Sequence, residues 1–523
     1  MNNFHEKYWV RFPLVSAFLI ILAFYPLRIW PLAFVALVPL FYFLHASNVG
    51  QTRRVFWGSF IFGVIFSLSI SYATLIQFHW LPEAYLFAWG VRLLFIPIAL
   101  ISGTIGGIIS VTYIRLKSHS IALNGALLAA LWVVGESIFY ALMSRYHLGM
   151  LAYVASPAPG LIEFAGIGGV LLVSLIIALV NSYAAALVYA FQTDPVSFRK
   201  VGTAIVVIAA VLGFSLALHR QYLARNAGPE KRLRAAVIQN KEREAQAFGS
   251  FGERGFSFPH LEGLLARARA ENPEVILYPF APYIGALSAA DSESGAREGI
   301  AGSAAEFGVW ASRHLDSVIP LITWNTVFRD GNFYGEFDAW KGGELQQFYQ
   351  KRVPFPFLDY TPAWAQRIGL YSTPFDVSSG PERQVPIRIA DHTFSSVVCS
   401  EMHDTNRVDR DSDIILSLGS DAMFSDDAVG HLDLVNAQFR AAEYGMPAIR
   451  GNRFGPSAFI DQRGRIVARM NYGEEGILAA DLIYTPNHAP TVYARLGDWG
   501  FYVLAGGIIT CSLWRKRKVT RAI

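Results

Sequence analysis

The sequence predicts a polytopic α-helical membrane protein of about eight spans that carries an inserted α/β domain. Three observations lead there. The 523 residues are 53% hydrophobic and only 16% charged, with a mean hydropathy of +0.34, whereas a soluble domain carries about a quarter charged residues. The imbalance is uneven: residues 12–220 hold most of the long apolar runs, and residues 221–490 have the mixed composition of a soluble α/β enzyme. A last apolar run follows and ends in the basic tail Arg515-Lys516-Arg517-Lys518.

Apolar runs occur at about 12–28, 30–46, 56–78, 87–114, 121–143, 161–191, 203–219 and 498–514, against a requirement of roughly 20 residues for a spanning helix. The first is followed too closely by the second to read as a cleaved signal segment. Leu27-Arg28-Ile29 between them predicts a tight helical hairpin. Lys7 and Arg11 precede the first run and Arg53 and Arg54 the third; Arg115 and Lys117 follow the fourth, and Arg199 and Lys200 precede the seventh. If each run spans once, these and the basic tail share one side, which the positive-inside bias assigns to the cytoplasm. Residues 79–86, on the other side, hold no Lys or Arg. The expected organisation is a membrane domain of seven helices over 1–220, an extracytoplasmic α/β domain over 221–490, and a last helix with a cytoplasmic tail over 491–523.

Within the α/β part, Leu233 to Gln239, Val275 to Tyr278, Val318 to Trp324, Phe394 to Val398 and Ile414 to Leu418 read as strands. Phe333 to Lys341 and Glu344 to Gln350 read as a hairpin about Gly342-Gly343, and Ser457 to Asp461 with Arg465 to Ala468 flank the turn Gln462-Arg463-Gly464. Helices are expected over 258–271, where Leu261, Leu264, Leu265 and Ala268 share a face, over 301–315, and over 432–444. Such alternation predicts sheets covered by helices. No Gly-rich phosphate loop and no His/Cys metal spacing is present. The net charge of +4 is not gathered into a basic stripe on this part, which argues against a nucleic-acid partner. Cys399 and Cys511 lie in such different surroundings that no disulfide is expected between them.

The chemistry centres on Ser396-Val397-Val398-Cys399-Ser400-Glu401, where a β-branched run ends at a cysteine with a carboxylate two residues on. A cysteine at the exit of a buried strand is either an inert core residue or a nucleophile aimed at a cleft. The rest of the chain bears on the choice. Tyr349-Gln350-Lys351-Arg352-Val353-Pro354-Phe355 with Tyr360-Thr361-Pro362, Ser420-Asp421-Ala422-Met423-Phe424, Arg440 to Pro447, and Tyr493 to Trp499 follow in order. Near the start stand Pro26, Trp30-Pro31-Leu32-Ala33 and Val38-Pro39-Leu40. Together these resemble the segments of the apolipoprotein N-acyltransferase family, a membrane branch of the nitrilase, or carbon–nitrogen hydrolase, superfamily. The resemblance covers nearly the whole chain, and residues from about 233 to 484 resemble the nitrilase domain.

That resemblance implies an inserted nitrilase-like αββα sandwich, a bacterial cytoplasmic (inner) membrane location with the domain on the periplasmic side, and no cofactor or metal. It implies a thiolate nucleophile, a glutamate that moves protons and a lysine that stabilises an oxyanion. Cys399 matches the nucleophile, Lys351 the lysine, and the backbone N–H of Ser400 a second oxyanion donor; Asp359 and Glu401 match supporting carboxylates. The glutamate is replaced: its place, after the proline that closes the second strand, is Phe280 in Leu277-Tyr278-Pro279-Phe280. Glu274 lies at the opposite end of that strand, about 13 Å away. A general base contributes about 10²–10⁴ in rate, so its loss is expected to slow turnover, while a thiol near Lys351 is expected to ionise partly unaided through a lowered pKa. His403 and Asp404 are further acid/base candidates whose simpler reading is an orienting group or a solvated loop charge.

Two turns depart from the family pattern: Arg145 to Met150 lacks its tryptophan, and Gly451-Asn452-Arg453-Phe454-Gly455 stands at its Asn-rich turn. The implied activity is transfer of an acyl chain from a phospholipid donor, through a thioester on Cys399, to the α-amino group of a lipoprotein acceptor's N-terminal diacylglyceryl-cysteine. Phe280 leaves two other readings open: a relative that binds lipid or lipoprotein without turnover, and an acyltransferase or amidase with another acceptor.

Overall fold

The computed structural model describes residues 9–24, 27–75, 85–143, 149–193, 195–241, 258–279, 318–342, 344–356, 359–369, 376–421, 426–486 and 489–520. The chain forms two compact units. One gathers Met1–Ala73, Arg92–Asn226 and Pro490–Ile523; the other gathers Thr74–Val91 and Ala227–Ala489.

The apolar runs become the helices α1 (Arg11–Ala23), α2 (Val38–Ala46), α3 (Thr52–Leu75), α4 (Tyr85–Leu116), α5 (Ile121–Leu142), α6 (Ala165–Thr193) and α7 (Pro195–Arg225), with Trp499–Thr520 near the end of the chain. Among the described residues, five stretches are long and apolar enough to cross a membrane: Val49–Ser71, Phe95–Leu116, Ile121–Leu142, Ala165–Thr193 and Val196–Arg225. The first two expected spans are shorter. α1 has 13 residues, about 20 Å at the helical rise. The run at 30–46 is divided into a 3-10 turn over Trp30–Phe34 and the nine residues of α2, each opened by a proline. The non-helical backbone between them needs partners, because an apolar surrounding supplies none. Buried Asn181 of α6 provides them. Its Oδ1 accepts the Leu37 N–H at 2.9 Å, and its Nδ2 donates to the carbonyls of Ala33 at 2.7 Å and Ile177 at 2.9 Å. α6 itself bends at Gly168-Gly169, where Gly169 adopts φ 70° and ψ −174°. A Cβ there would sit 2.3 Å from the Tyr493 ring, so both the backbone conformation and the packing require glycine.

Among its described residues the second unit holds two six-stranded sheets. The strands are β1 (Lys231–Gln239), β2 (Val275–Tyr278), β3 (Leu321–Arg329), β4 (Asn332–Lys341), β5 (Glu344–Gln350), β6 (Ile387–Ile389), β7 (His392–Val398), β8 (Ile414–Ser420), β9 (Ala448–Arg453), β10 (Ser457–Ile460), β11 (Ile466–Met470) and β12 (Gly476–Tyr484). Their orders are β12-β1-β2-β3-β4-β5 and β11-β10-β9-β8-β7-β6. Each sheet has a parallel centre, β1-β2-β3 or β7-β8-β9, flanked by antiparallel strands. This explains why β2 and β8 are buried at every residue: parallel strands covered on both faces read as continuous apolar runs. One core joins the sheets, with Leu233, Val237, Leu277 and Phe337 from the first against Phe394, Val398, Leu416 and Ile449 from the second. The other face of the first sheet packs Ala236, Ile276 and Tyr278 against Leu264, Leu265 and Ala268 of α8 (Phe258–Ala270). α9 (Ala428–Tyr444) lies against β9 and β10.

The expected strands and both hairpins are present, most with slightly longer bounds. The helix expected over 301–315 lies outside the described residues. β9 was not expected. Its sequence, Ala-Ile-Arg-Gly-Asn-Arg, hides a fully buried strand behind two arginines, a glycine and an asparagine. β6 and the edge strand β12 were not expected either.

Candidate active site

The C-terminal ends of parallel strands are where open α/β sheets place their ligands. Here Cys399 directly follows β7 and Asp421 directly follows β8. Cys399 has φ 51°, a left-handed conformation in a residue with a Cβ, which costs on the order of 1–3 kcal/mol and is concentrated at functional sites. It turns the chain out of β7 into a 3-10 turn over Cys399–His403. The Cys399 side chain is half-buried and packs on the core between the sheets.

Glu401 holds this turn against the lysine segment. Its Oε2 accepts the Val398 N–H at 2.9 Å; its Oε1 accepts the N–H groups of Arg352 at 2.7 Å and Val353 at 3.0 Å. One buried carboxylate thus fastens both the turn at Cys399 and the two residues after Lys351. Lys351 follows β5, and its N–H donates to the Gly335 carbonyl at 2.7 Å. The side chain is only 2% exposed, and Nζ lies 2.5 Å from Asp359 Oδ2, which also accepts the Phe355 N–H at 2.5 Å. Asp359, through Oδ2, thus holds Lys351 and the chain at Phe355, and Glu401, through both oxygens, holds the turn. Ser400 follows Cys399 within the 3-10 turn.

The charges decide the state of the thiol. Burial pushes Cys399 up to about 12; Lys351 pulls it down, while Asp433, Asp359 and Asp421 add to the rise. Burial depresses Lys351, but Asp359, the Cys399 sulphur and Glu401 outweigh it, so the ammonium ends above its ordinary value. Burial raises Glu401 against the pull of the Val398 N–H, Arg352, Lys351 and the Val353 N–H. The expected lowering of the Cys399 pKa by Lys351 is thus corrected. Desolvation exceeds the lysine's attraction, and Asp359 already balances that lysine. Alkylation of Cys399 by iodoacetamide, measured with Cys511→Ser to silence the other thiol, should rise about tenfold per pH unit between about pH 7 and 10 without a plateau. A plateau near pH 8 would show that the resting thiol is ionised.

His403 is not a solvated charge. It is buried, with Nε2 2.6 Å from Asp433 Oδ1 and Nδ1 3.2 Å from Asn436 Nδ2. A neutral ring donates from Nε2 to the carboxylate and accepts from Asn436 at Nδ1, so both nitrogens are committed. Asp404 accepts from Arg407 Nε at 2.9 Å and from the Asn406 N–H at 3.0 Å. Beyond His403 runs a buried network absent from the sequence reading. Arg450 Nη2 lies 3.5 Å from Asp433 Oδ2 and 2.9 Å from Asp421 Oδ2. Burial pushes Asp421 up to about 7, against Arg450 and with Asp433. The available signal was Asp433, Asn436 and Arg440 set among the apolar residues of α9.

Phe280, which the sequence comparison with the family sets at the expected place of the glutamate, lies outside the described residues, as do 144–148 and 422–425. The strand leading to it ends inside the site region. Pro279 Cδ is 3.8 Å and Leu418 Cδ2 2.7 Å from the Cβ position of Gly451 in β9, so the end of β2 meets the ends of β8 and β9. Among the described residues no group of three or more His, Cys, Asp or Glu side chains is placed to hold a metal ion.

Helices apolar enough to cross a membrane, with an α/β unit that sets a strand-end cysteine in the field of a buried lysine, define a membrane protein bearing a thiol–lysine site. A solved CN-hydrolase superfamily protein from Xanthomonas campestris aligns at a TM-score of 0.31 and 16% identity, covering 48% of this chain and 91% of that chain. Residues 16–183 match the family model of the apolipoprotein N-acyltransferase N-terminal domain. The chain is 27% identical over 532 residues to apolipoprotein N-acyltransferase of Vibrio vulnificus (strain CMCP6), with 97% of each chain covered. It is 26% identical over 535 residues to that of Vibrio cholerae serotype O1, again with 97% of each covered. The chain is thus similar over nearly its whole length to apolipoprotein N-acyltransferases, and its N-terminal part matches that family's N-terminal domain.

Proposed function

We propose that this protein is a lipoprotein N-acyltransferase that works through a thioester on Cys399. The sulphur attacks the ester carbonyl of a phospholipid, and the negative oxygen that forms is met by Lys351 Nζ and the Ser400 N–H. The ester C–O bond breaks, and the lysophospholipid leaves as an alcohol with the proton given up by the thiol. The α-amine of a lipoprotein's N-terminal diacylglyceryl-cysteine then attacks the thioester. An amide forms, and the amine's proton returns the sulphur to a thiol. The observation that carries this reading is the single carboxylate, Glu401, that locks Cys399 and the Lys351 segment together, in a chain whose full-length relatives are named apolipoprotein N-acyltransferase.

The same reading takes 1–220 as a membrane domain of seven helices, 221–490 as an extracytoplasmic αββα domain and 491–523 as the eighth span with its tail. Both termini are then cytoplasmic, in a bacterial inner membrane. Such an arrangement puts Cys399 on the side where lipid and lipoprotein meet the bilayer surface. Phe280 removes the usual proton carrier without removing the nucleophile or the lysine, so acylation is expected to be slow instead of absent.

The test is to incubate the purified protein with phospholipid vesicles and follow Cys399 by mass spectrometry. A fatty-acyl adduct on Cys399, discharged by a diacylated lipopeptide amine and missing in Cys399→Ala, is the expected result. An unmodified Cys399 after prolonged incubation would sink the catalytic reading.

A further inference from the structure

A thiol held up by burial needs something to receive its negative charge, and the row of residues beside Cys399 contains a buried donor with no hydrogen-bond partner among the described residues. Val398 pairs with Leu418, and Gly419 pairs with Asn452, so Cys399, Gly419 and Asn452 follow one another across the ends of β7, β8 and β9. Asn452 is fully buried. Its Oδ1 accepts two backbone N–H groups, from Asp421 at 3.0 Å and from Gly455 at 3.2 Å. Those two bonds settle which end of the amide is oxygen and leave Nδ2 on the other side. That Nδ2 has no hydrogen-bond partner among the described residues, an arrangement that is costly for a buried donor. It faces Gly419: a Cβ built on this glycine would lie 3.4 Å from Asn452 Nδ2, 3.6 Å from Cys399 Cα and 3.7 Å from Cys399 Cβ. Between the orphan donor and the cysteine there is thus an opening about the size of one methyl group, which exists because residue 419 has no side chain.

We propose that Asn452 completes the thiolate site: its side-chain N–H, held toward the opening above Gly419, donates to the ionised Cys399 sulphur directly or across one water. This rests on the reading of Cys399 as the nucleophile. Among the charges that act on the sulphur are Lys351 after β5, Asp359 beyond it, Asp421 after β8 and Asp433 on α9. Three of these four are carboxylates that oppose ionisation. A neutral donor on the Gly419 side offsets them without adding a charge to be buried. It also gives the two bonds on Oδ1 a purpose, since they prevent the amide from turning its oxygen toward the sulphur.

The test uses the full-length protein in detergent with Cys511→Ser, and reads the rate of Cys399 alkylation at about pH 8 by iodoacetamide and by the larger N-ethylmaleimide. Asn452→Asp keeps an acceptor for both N–H groups and replaces the donor by oxygen. Gly419→Ala leaves every Asn452 bond in place and fills the opening, with only ordinary contacts around the new methyl group. Each variant is expected to slow alkylation about tenfold, by the same factor for both reagents, because a change in ionisation acts on all electrophiles alike. Unchanged alkylation in Gly419→Ala overturns the proposal, even if Asn452→Asp is slower, since the new carboxylate's field alone would do that. Slowing confined to the larger reagent also overturns it, because that is obstruction. The assay needs no acyl donor. A positive result beside an absent acyl adduct would therefore fault the acyltransferase reading and leave the Asn452 assignment standing.

Discussion

Lys351→Met is expected to lower thioester formation on Cys399 by about 10²–10³-fold, the usual effect of removing one oxyanion donor. Methionine keeps most of the buried stem and removes the charge. Two consequences act in the same direction. The developing oxyanion loses its ammonium, leaving the Ser400 N–H, and the thiol loses a positive charge that pulls its pKa down. The orphaned Asp359 keeps its bond from the Phe355 N–H and is 20% exposed at the side chain, so the fold should largely tolerate the change. Single-turnover appearance of the acyl adduct, with thermal unfolding as a control, separates chemistry from stability. An unaltered adduct rate would remove Lys351 from the reaction.

Arg450→Met is expected to act on the fold. Arg450 is fully buried and lies between Asp421 and Asp433. Removing one partner of a buried ion pair costs about 3–5 kcal/mol because a charge is left uncompensated, and here two carboxylates are left. The pH dependence has a definite sign. Asp421 is raised to about 7 from an ordinary 3.8, so the folded state holds a proton that the unfolded chain releases. Its contribution to stability is full below about pH 4 and lost as pH rises through about 7. Without Arg450 the carboxylate should be raised further, and the variant should be distinctly less stable at pH 8 than at pH 5. Thermal unfolding of the detergent-solubilised protein at both values checks this. Asp421→Asn in the same background should recover part of the loss at pH 8, since it removes the buried charge. A variant equally stable at both pH values would show that the network is not ionised as described.

Much of the architecture was legible in the chain. Apolar runs at about 121–143 and 161–191 announce helices by length alone, and Val275 to Tyr278 and Ile414 to Leu418 announce inner parallel strands, because burial on both faces demands unbroken apolar sequence. The hairpin around Gly342-Gly343 was legible because strand pairing across a short turn is a local matter. β9 was not, since its arginines and asparagine are paired by residues remote in sequence. The division of the run at 30–46 was not legible either: the partner that makes the break tolerable, Asn181, lies 144 residues beyond Leu37.

The site divides in the same way. Sequence by itself determined that a cysteine closes a β-branched strand, that Lys351 and Asp359 stand eight residues apart in a recognisable segment, and that a phenylalanine occupies the expected place of the base. Only the tertiary structure decided the state of those groups. The thiol is raised instead of lowered, His403 is spent on Asp433 and Asn436, Glu401 serves as a clasp, and Asn452 faces Cys399 across a glycine. Residue identity and local pattern are written along the chain. Desolvation, opposing charge and the direction of an amide depend on atoms brought together from β5, β7, β8, β9 and α9, and no window of sequence contains them all.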